Sequence, residues 1–327
     1  MLIDTYELPC FVPSRLDGRA LESLVAITRS RSTVERPGRA VVLLHPYAPL
    51  GGQFRNNVVS EVRRRMTPHV SVCIALNLRG AGCSEGRTSW TGQAEQEDLR
   101  SVLDMLVAGS LTLHAEIHPL EERRGLAARL HSRGFAAMPG DGDPIAVPLP
   151  PVERVMLCGY SYGAMIVGSV APAEYPQLGL DYAYISYPYG VVWALALNRR
   201  SWYLQRIADI VTEAAASAAA SAAETAETAE TAASGSTPSA NPHGGNAKVS
   251  RTFFIAGSAD FYTSMSSYER WWAQLEACAR HPTAAETDSG SDDVAARVLA
   301  LVRAPKADHS WLRREDEVAD AIQAWWR

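Results

Sequence analysis

The chain of 327 residues has no long uncharged apolar run. Crossing a bilayer takes about 18–20 such residues in a row, so no integral membrane contact is expected. A basic excess is also missing. Lys and Arg number 31 against 36 Asp and Glu, a net charge of −5. A nucleic-acid surface needs clustered positive charge, so nucleic acid is not expected as a partner, and the overall balance speaks against an anionic membrane as the main one. Cysteine is scarce. Cys10, Cys73, Cys83, Cys158 and Cys278 are odd in number, and no pair has metal-ligand spacing. Asp4 and Glu7 stand where a secretory leader would carry positive charge, and no apolar segment follows. A cytoplasmic protein with scattered thiols is the expectation.

What the chain does have is apolar material, 47% of residues, enough for one large α/β domain or two ordinary ones. Extended runs at 5–12 and 20–29 flank Asp17-Gly18, a hairpin signal. Ala40 to Leu44 and Val70 to Leu76 are continuous apolar runs of strand length, as strands buried on both faces require. Helical spacing marks 54–66, 93–107 and 162–170, with strands at 154–158 and 182–187. After residue 250 come a strand at 251–256, a helix at 264–279, a strand at 297–303 and a closing helix at 316–327.

Three stretches break this rhythm. Residues 109–151 mix charge, Gly and Pro and read as an insertion, with a short helix expected at 121–132. Residues 213–250 are low-complexity. Their Ala-rich front is compatible with helix, but the rest has nothing to bury and is expected to be disordered. Residues 281–293 form a further polar insertion. Because the β–α alternation resumes beyond each, the chain reads as one domain, 1–327. The fold class is α/β, a mostly parallel sheet of about eight strands with helices on both faces and an N-terminal antiparallel hairpin. Sites on such sheets lie at the carboxyl ends of the strands.

Directly after the strand at 154–158 stands Gly159-Tyr160-Ser161-Tyr162-Gly163, then an apolar helix. This is the G-x-S-x-G elbow, which lifts a serine onto a sharp strand-to-helix turn. A serine hydroxyl needs a base to become nucleophilic. Of eight histidines only His243, His281 and His309 follow Ser161, and only His309 closely follows a strand end. Asp260, four residues past the strand at 251–256, is the expected acid. An oxyanion hole would use backbone N–H groups: that of Tyr162, and that of Tyr47 in the loop after Leu44, since Pro46 has none. His45 reads as structural within that loop, and His45, Tyr160 and Gly52 are expected along the site. Gly80-x-Gly82 lacks the third glycine of a dinucleotide loop, because position 85 is Glu. Trp271-Trp272 and Trp325-Trp326 read as packing on the sheet.

Together these segments resemble the α/β-hydrolase superfamily, and within it a group of short serine hydrolases. The resemblance rests on His45-Pro46-Tyr47-Ala48-Pro49-Leu50-Gly51-Gly52, Asn56-Asn57-Val58-Val59, the turn Asn77 to Ser84, the elbow, and Ala307-Asp308-His309-Ser310-Trp311. It spans about 1–108, 152–210 and 251–327. Tyr47 and Cys83 depart from the residues common in that group. The resemblance implies hydrolysis of an ester, thioester or amide of a small-molecule acyl substrate, with neither metal nor organic cofactor. An acyltransferase using the same residues, or a hydrolase-like binding scaffold, are the alternatives. Tyr187, Tyr189, Trp193, Trp202 and Tyr203 lie where a lid would shape the pocket, which suits an apolar or aromatic acyl group.

Overall fold

The computed structural model describes residues 3–30, 38–114, 144–233, 249–280 and 291–327, with isolated residues 124, 125, 128 and 131. Its frame is an eight-stranded sheet in the order β1-β2-β4-β3-β7-β8-β9-β10. The hairpin β1 (Ile3–Pro13) and β2 (Ala20–Ser30) joins it antiparallel, with Ser23 opposite Leu76 of β4. β3 (Arg39–Leu44), β4 (Val72–Leu76), β7 (Arg154–Tyr160), β8 (Gly179–Ile185), β9 (Thr252–Gly257) and β10 (Leu299–Ala304) run parallel. Their carboxyl ends therefore share one edge.

The middle strands are buried from end to end, which is why they read as unbroken apolar runs. Alternate side chains feed two separate cores. Val41, Leu43, Cys73 and Phe253 meet α1 (Asn57–Met66) and α8 (Glu315–Trp326) on one face. Val42, Leu44, Leu157 and Tyr184 meet α2 (Gln93–Ala108), α3 (Tyr162–Val167), α5 (Arg200–Ala233) and α6 (Met265–Arg280) on the other. Trp271, Trp272 and Trp326 are buried, and the Trp326 indole donates to Asp181 Oδ2 at 2.7 Å.

The irregular stretches hold more regular structure than expected. Within 109–151, β5 (Ser110–Leu113) and β6 (Ile145–Pro148) form a two-stranded sheet of their own. Leu111, Leu113, Ile145 and Val147 point into the core while their neighbours face outward. This alternation covers only four residues on each side and was masked by the polar surroundings. The helix expected at 121–132 lies largely outside the described residues. The low-complexity stretch opens as helix: α5 continues to Ala233, with Ala214, Ala215 and Ala218 buried. Alanine is the best helix former, and here it also packs. Residues 234–248 are outside the described set. Likewise the polar insertion at 281–293 gives way to a helix, α7 (Ser291–Val298), which packs on α5 and α6. A short α4 (Val192–Leu195) lies in the crossover from β8.

Candidate active site

β7 ends in the middle of the sheet, and Ser161 follows it with φ 54° and ψ −115°. That is a strained backbone for a residue with a side chain. The turn closes because its flanks are bare. A Cβ on Gly159 would lie 2.3 Å from the Gly163 carbonyl group, and one on Gly163 would lie 2.6 Å from the Leu44 oxygen. The glycines thus let the start of α3 sit directly against the loop that follows β3.

Three chain segments converge here. His309 Nε2 lies 2.9 Å from Ser161 Oγ, and His309 Nδ1 lies 2.7 Å from Asp260 Oδ2. Asp260 Oδ1 accepts from the backbone N–H of Tyr262 at 2.8 Å and of Thr263 at 3.3 Å. The carboxylate is therefore fixed by its own loop. The Tyr160 hydroxyl donates to the His309 carbonyl oxygen, so the strand preceding the serine also supports the histidine. All three residues are less than 9% exposed, while Phe261 beside them is 74% exposed with its ring 6.1 Å from that of His309. Asp308, adjacent to His309 in sequence, turns away to accept from the N–H groups of Ser310 and Trp311.

The loop after β3 passes close by. The rings of Tyr47 and Tyr162 meet edge to face at 5.1 Å. Among the described residues, the backbone N–H groups of Tyr47 and Tyr162 find no hydrogen-bond partner. His45, Tyr160 and Gly52, expected along the site, are all buried. His45 is fully buried: Nε2 accepts from Leu78 N–H at 3.0 Å, and Nδ1–H donates to the Pro46 oxygen. Burial lowers its pKa to about 4, so the ring is neutral. Tyr160 is buried beneath His309. Gly52 is buried because its backbone rests on Pro46 and Tyr47, where a Cβ would come within 2.0 Å of the Pro46 oxygen.

Two supports went unread in the sequence. Asn57 Nδ2 donates to Ser310 O at 3.2 Å and to Glu315 Oε1 at 2.7 Å, tying α1 to the His309 loop. Asn77 Oδ1 accepts from Phe54 N–H at 2.7 Å, and Arg79 forms a buried pair with Asp98 at 2.6 Å. The turn Asn77 to Ser84 is thus a brace for the β3 loop. The asparagine-rich segments carried the signal, but only pairing to residues distant in sequence, 253 and 258 away for Asn57 and 23 away for Asn77, gives it meaning. Among the described residues, no group of three His, Cys, Asp or Glu could hold a metal ion.

No protein-family model matches the chain, and no curated protein matches it. Solved structures do. An α/β serine hydrolase homologue of Coxiella burnetii is 15% identical, with 98% of this chain and 95% of that one covered and a TM-score of 0.51. An α/β serine hydrolase without lid from Xanthomonas campestris is 17% identical over 98% and 93%, with a TM-score of 0.51. A Pyrococcus furiosus esterase is 11% identical over 99% and 90%, with a TM-score of 0.52.

This chain has the α/β-hydrolase fold.

The likeness covers nearly the whole chain. At these identities it speaks for the fold. Within that α/β-hydrolase fold, Ser161, Asp260 and His309 follow β7, β9 and β10. No helix among the described residues is long and apolar enough to cross a membrane.

Proposed function

We propose that this protein is a serine hydrolase that cleaves a carboxylic ester, thioester or amide through an acyl-enzyme on Ser161. One observation carries the reading: the unbroken line of contacts from Asp260 through His309 to Ser161, at 2.7 and 2.9 Å, ending on a strained elbow. With Nδ1–H donated to Asp260, His309 Nε2 is the free acceptor for the serine proton. As Ser161 Oγ attacks the acyl carbon, His309 takes that proton, and the carbonyl oxygen becomes an oxyanion. The N–H groups of Tyr162 and Tyr47 bind it, supported by their lack of other partners. His309 then gives the proton to the leaving alcohol, thiol or amine. Water, deprotonated by the same imidazole, releases the acid and restores the serine. Asp260, held by two backbone N–H groups, keeps the tautomer and stabilises the imidazolium.

The test is labelling with a fluorophosphonate probe, with the modified peptide located by mass spectrometry. The expected adduct is on Ser161 and is lost in His309→Ala. Folded protein that takes no label, or takes it elsewhere, would remove the reading and favour a binding scaffold.

A further inference from the structure

The carboxyl edge of the sheet carries an unusual surface. Five loops leave it, at 45–56, 77–92, 186–200, 258–264 and 305–314. Each presents at least one large apolar side chain to solvent: Leu50, Trp90, Trp193, Phe261 and Leu312 are between 65% and 75% exposed. Leu197 shares the loop of Trp193. Leu16, in the β1–β2 turn, stands at the same edge, because β2 runs antiparallel to β4. Only Val107 and Trp202 complete the exposed large apolar residues among those described. Single exposed apolar residues are ordinary, but concentration on one edge marks an interaction surface.

The same loops reverse the charge of the molecule. Over these five segments eight Lys and Arg face three Asp and Glu, in a chain whose net charge is −5. Asp260 is one of the three and is buried in the site, and Asp308 is engaged by Ser310 and Trp311. No acid occurs between Asp181 and Asp209. Arg87, Arg200, Lys306 and Arg313 are exposed cations that form no ion pair with another described residue. They alternate with the apolar tips: Arg87 precedes Trp90 by three residues, Arg313 follows Leu312, and the Arg200 guanidinium stands 5.1 Å from the Tyr189 ring. Of the three acids that open α8, Glu315 is held by Asn57 and Glu317 by Arg314, while Asp316 is exposed.

We infer that this edge docks on an anionic lipid bilayer, with the apolar tips entering the headgroup boundary and the arginines and Lys306 meeting lipid phosphates and carboxylates. Apolar and aromatic tips interleaved with cations fit that occupant. Resting on the hydrolase reading, the inference also names the substrate class: a lipid ester drawn from the membrane into a site whose rim already lies in it.

Docking is tested without turnover, in the full-length Ser161→Ala protein, by co-sedimentation with vesicles. One set is pure phosphatidylcholine; the other contains phosphatidylserine at about a third of the lipid. Binding to the phosphatidylserine set alone is expected, falling with added salt. Each cation near an anionic surface contributes about fivefold to partitioning, so Arg87→Glu/Arg200→Glu/Arg313→Glu should weaken binding by at least about a hundredfold. In the catalytically intact background this variant should keep its rate on a soluble short-chain ester and lose it on an ester embedded in those vesicles. Folded protein that stays in the supernatant at low salt overturns the inference, as does equal binding to both lipid sets that the triple variant leaves unchanged. Because the sedimentation arm uses a protein without its serine, failure of the hydrolase reading leaves its result intact.

Discussion

The Trp311 indole N–H donates to Ser186 Oγ at 2.9 Å, and both residues are held at positive φ, 53° and 45°. Trp311 lies two residues past His309, and Ser186 directly follows β8. The bond clasps the His309 loop to β8, the strand beside the one that leads to Ser161.

Trp311→Phe keeps an aromatic ring in the core, removes the indole N–H donor, and leaves space where the larger indole packed. Ser186, fully buried, would lose that partner, a loss of about 1–3 kcal/mol. Urea unfolding should show that loss, with fluorophosphonate labelling slowed because His309 is less well held. Unchanged stability and labelling would mean the clasp is idle.

Asp260→Asn removes the charge and turns an acceptor into a mixed group. The expected fall in ester hydrolysis is about 10⁴-fold, as for the equivalent change in a serine protease triad. Circular dichroism and the thermal midpoint should stay near those of the parent. A loss below tenfold would separate Asp260 from the chemistry.

His45 predicts a pH effect on stability that is separate from activity. Its folded pKa of about 4 is depressed from the ordinary 6.5, so the unfolded chain binds the proton more readily. Stability is therefore complete above about pH 6.5 and drains as pH falls toward 4, by roughly 3 kcal/mol at pH 4. Denaturant midpoints from pH 7 to 4 should show this decline, and it should flatten in His45→Gln. An equal slope in both proteins would assign the effect to other groups.

Gly163→Ala probes the elbow sterically. Its Cβ would meet the Leu44 and His45 carbonyl oxygens at 2.6 and 2.7 Å, backbone atoms at the end of β3 and the start of the loop carrying Tyr47. We expect a drop of about 1–3 kcal/mol in stability, typical of an overpacked core, and labelling of Ser161 slowed at least tenfold. Wild-type values for both would show that the loop yields freely.

How much of this could be read from the sequence follows from range. The strands buried on both faces, the elbow and the order of Ser161, Asp260 and His309 are local signals, and the sheet brings the three side chains together. Tyr160 and His45 were expected along the site because they neighbour it in sequence. Their rings turn inward to satisfy the His309 carbonyl and the Leu78 N–H, which periodicity does not reveal. β5 and β6 were missed because each is defined by the other across more than thirty residues. The helix in the Ala-rich stretch was only half legible, since burial of Ala215 depends on what packs against it. Net charge was the least informative signal: summed over the chain, it hid the eight Lys and Arg against three Asp and Glu in the loops at the carboxyl edge.

The pairing of β8 with β9, Tyr182 opposite Thr252 through Ile185 opposite Ile255, sets where Asp260 stands relative to Ser161. β10 in turn takes its register from β9. The geometry of the site is thus written in backbone ladders, and among the described residues those between Ala218 and Arg251 pair in none of them. Doubling such a connection costs about 0.6 kcal/mol in closure entropy. A change in the length of that connection over generations would therefore leave the spacing of Ser161, Asp260 and His309 to the ladders.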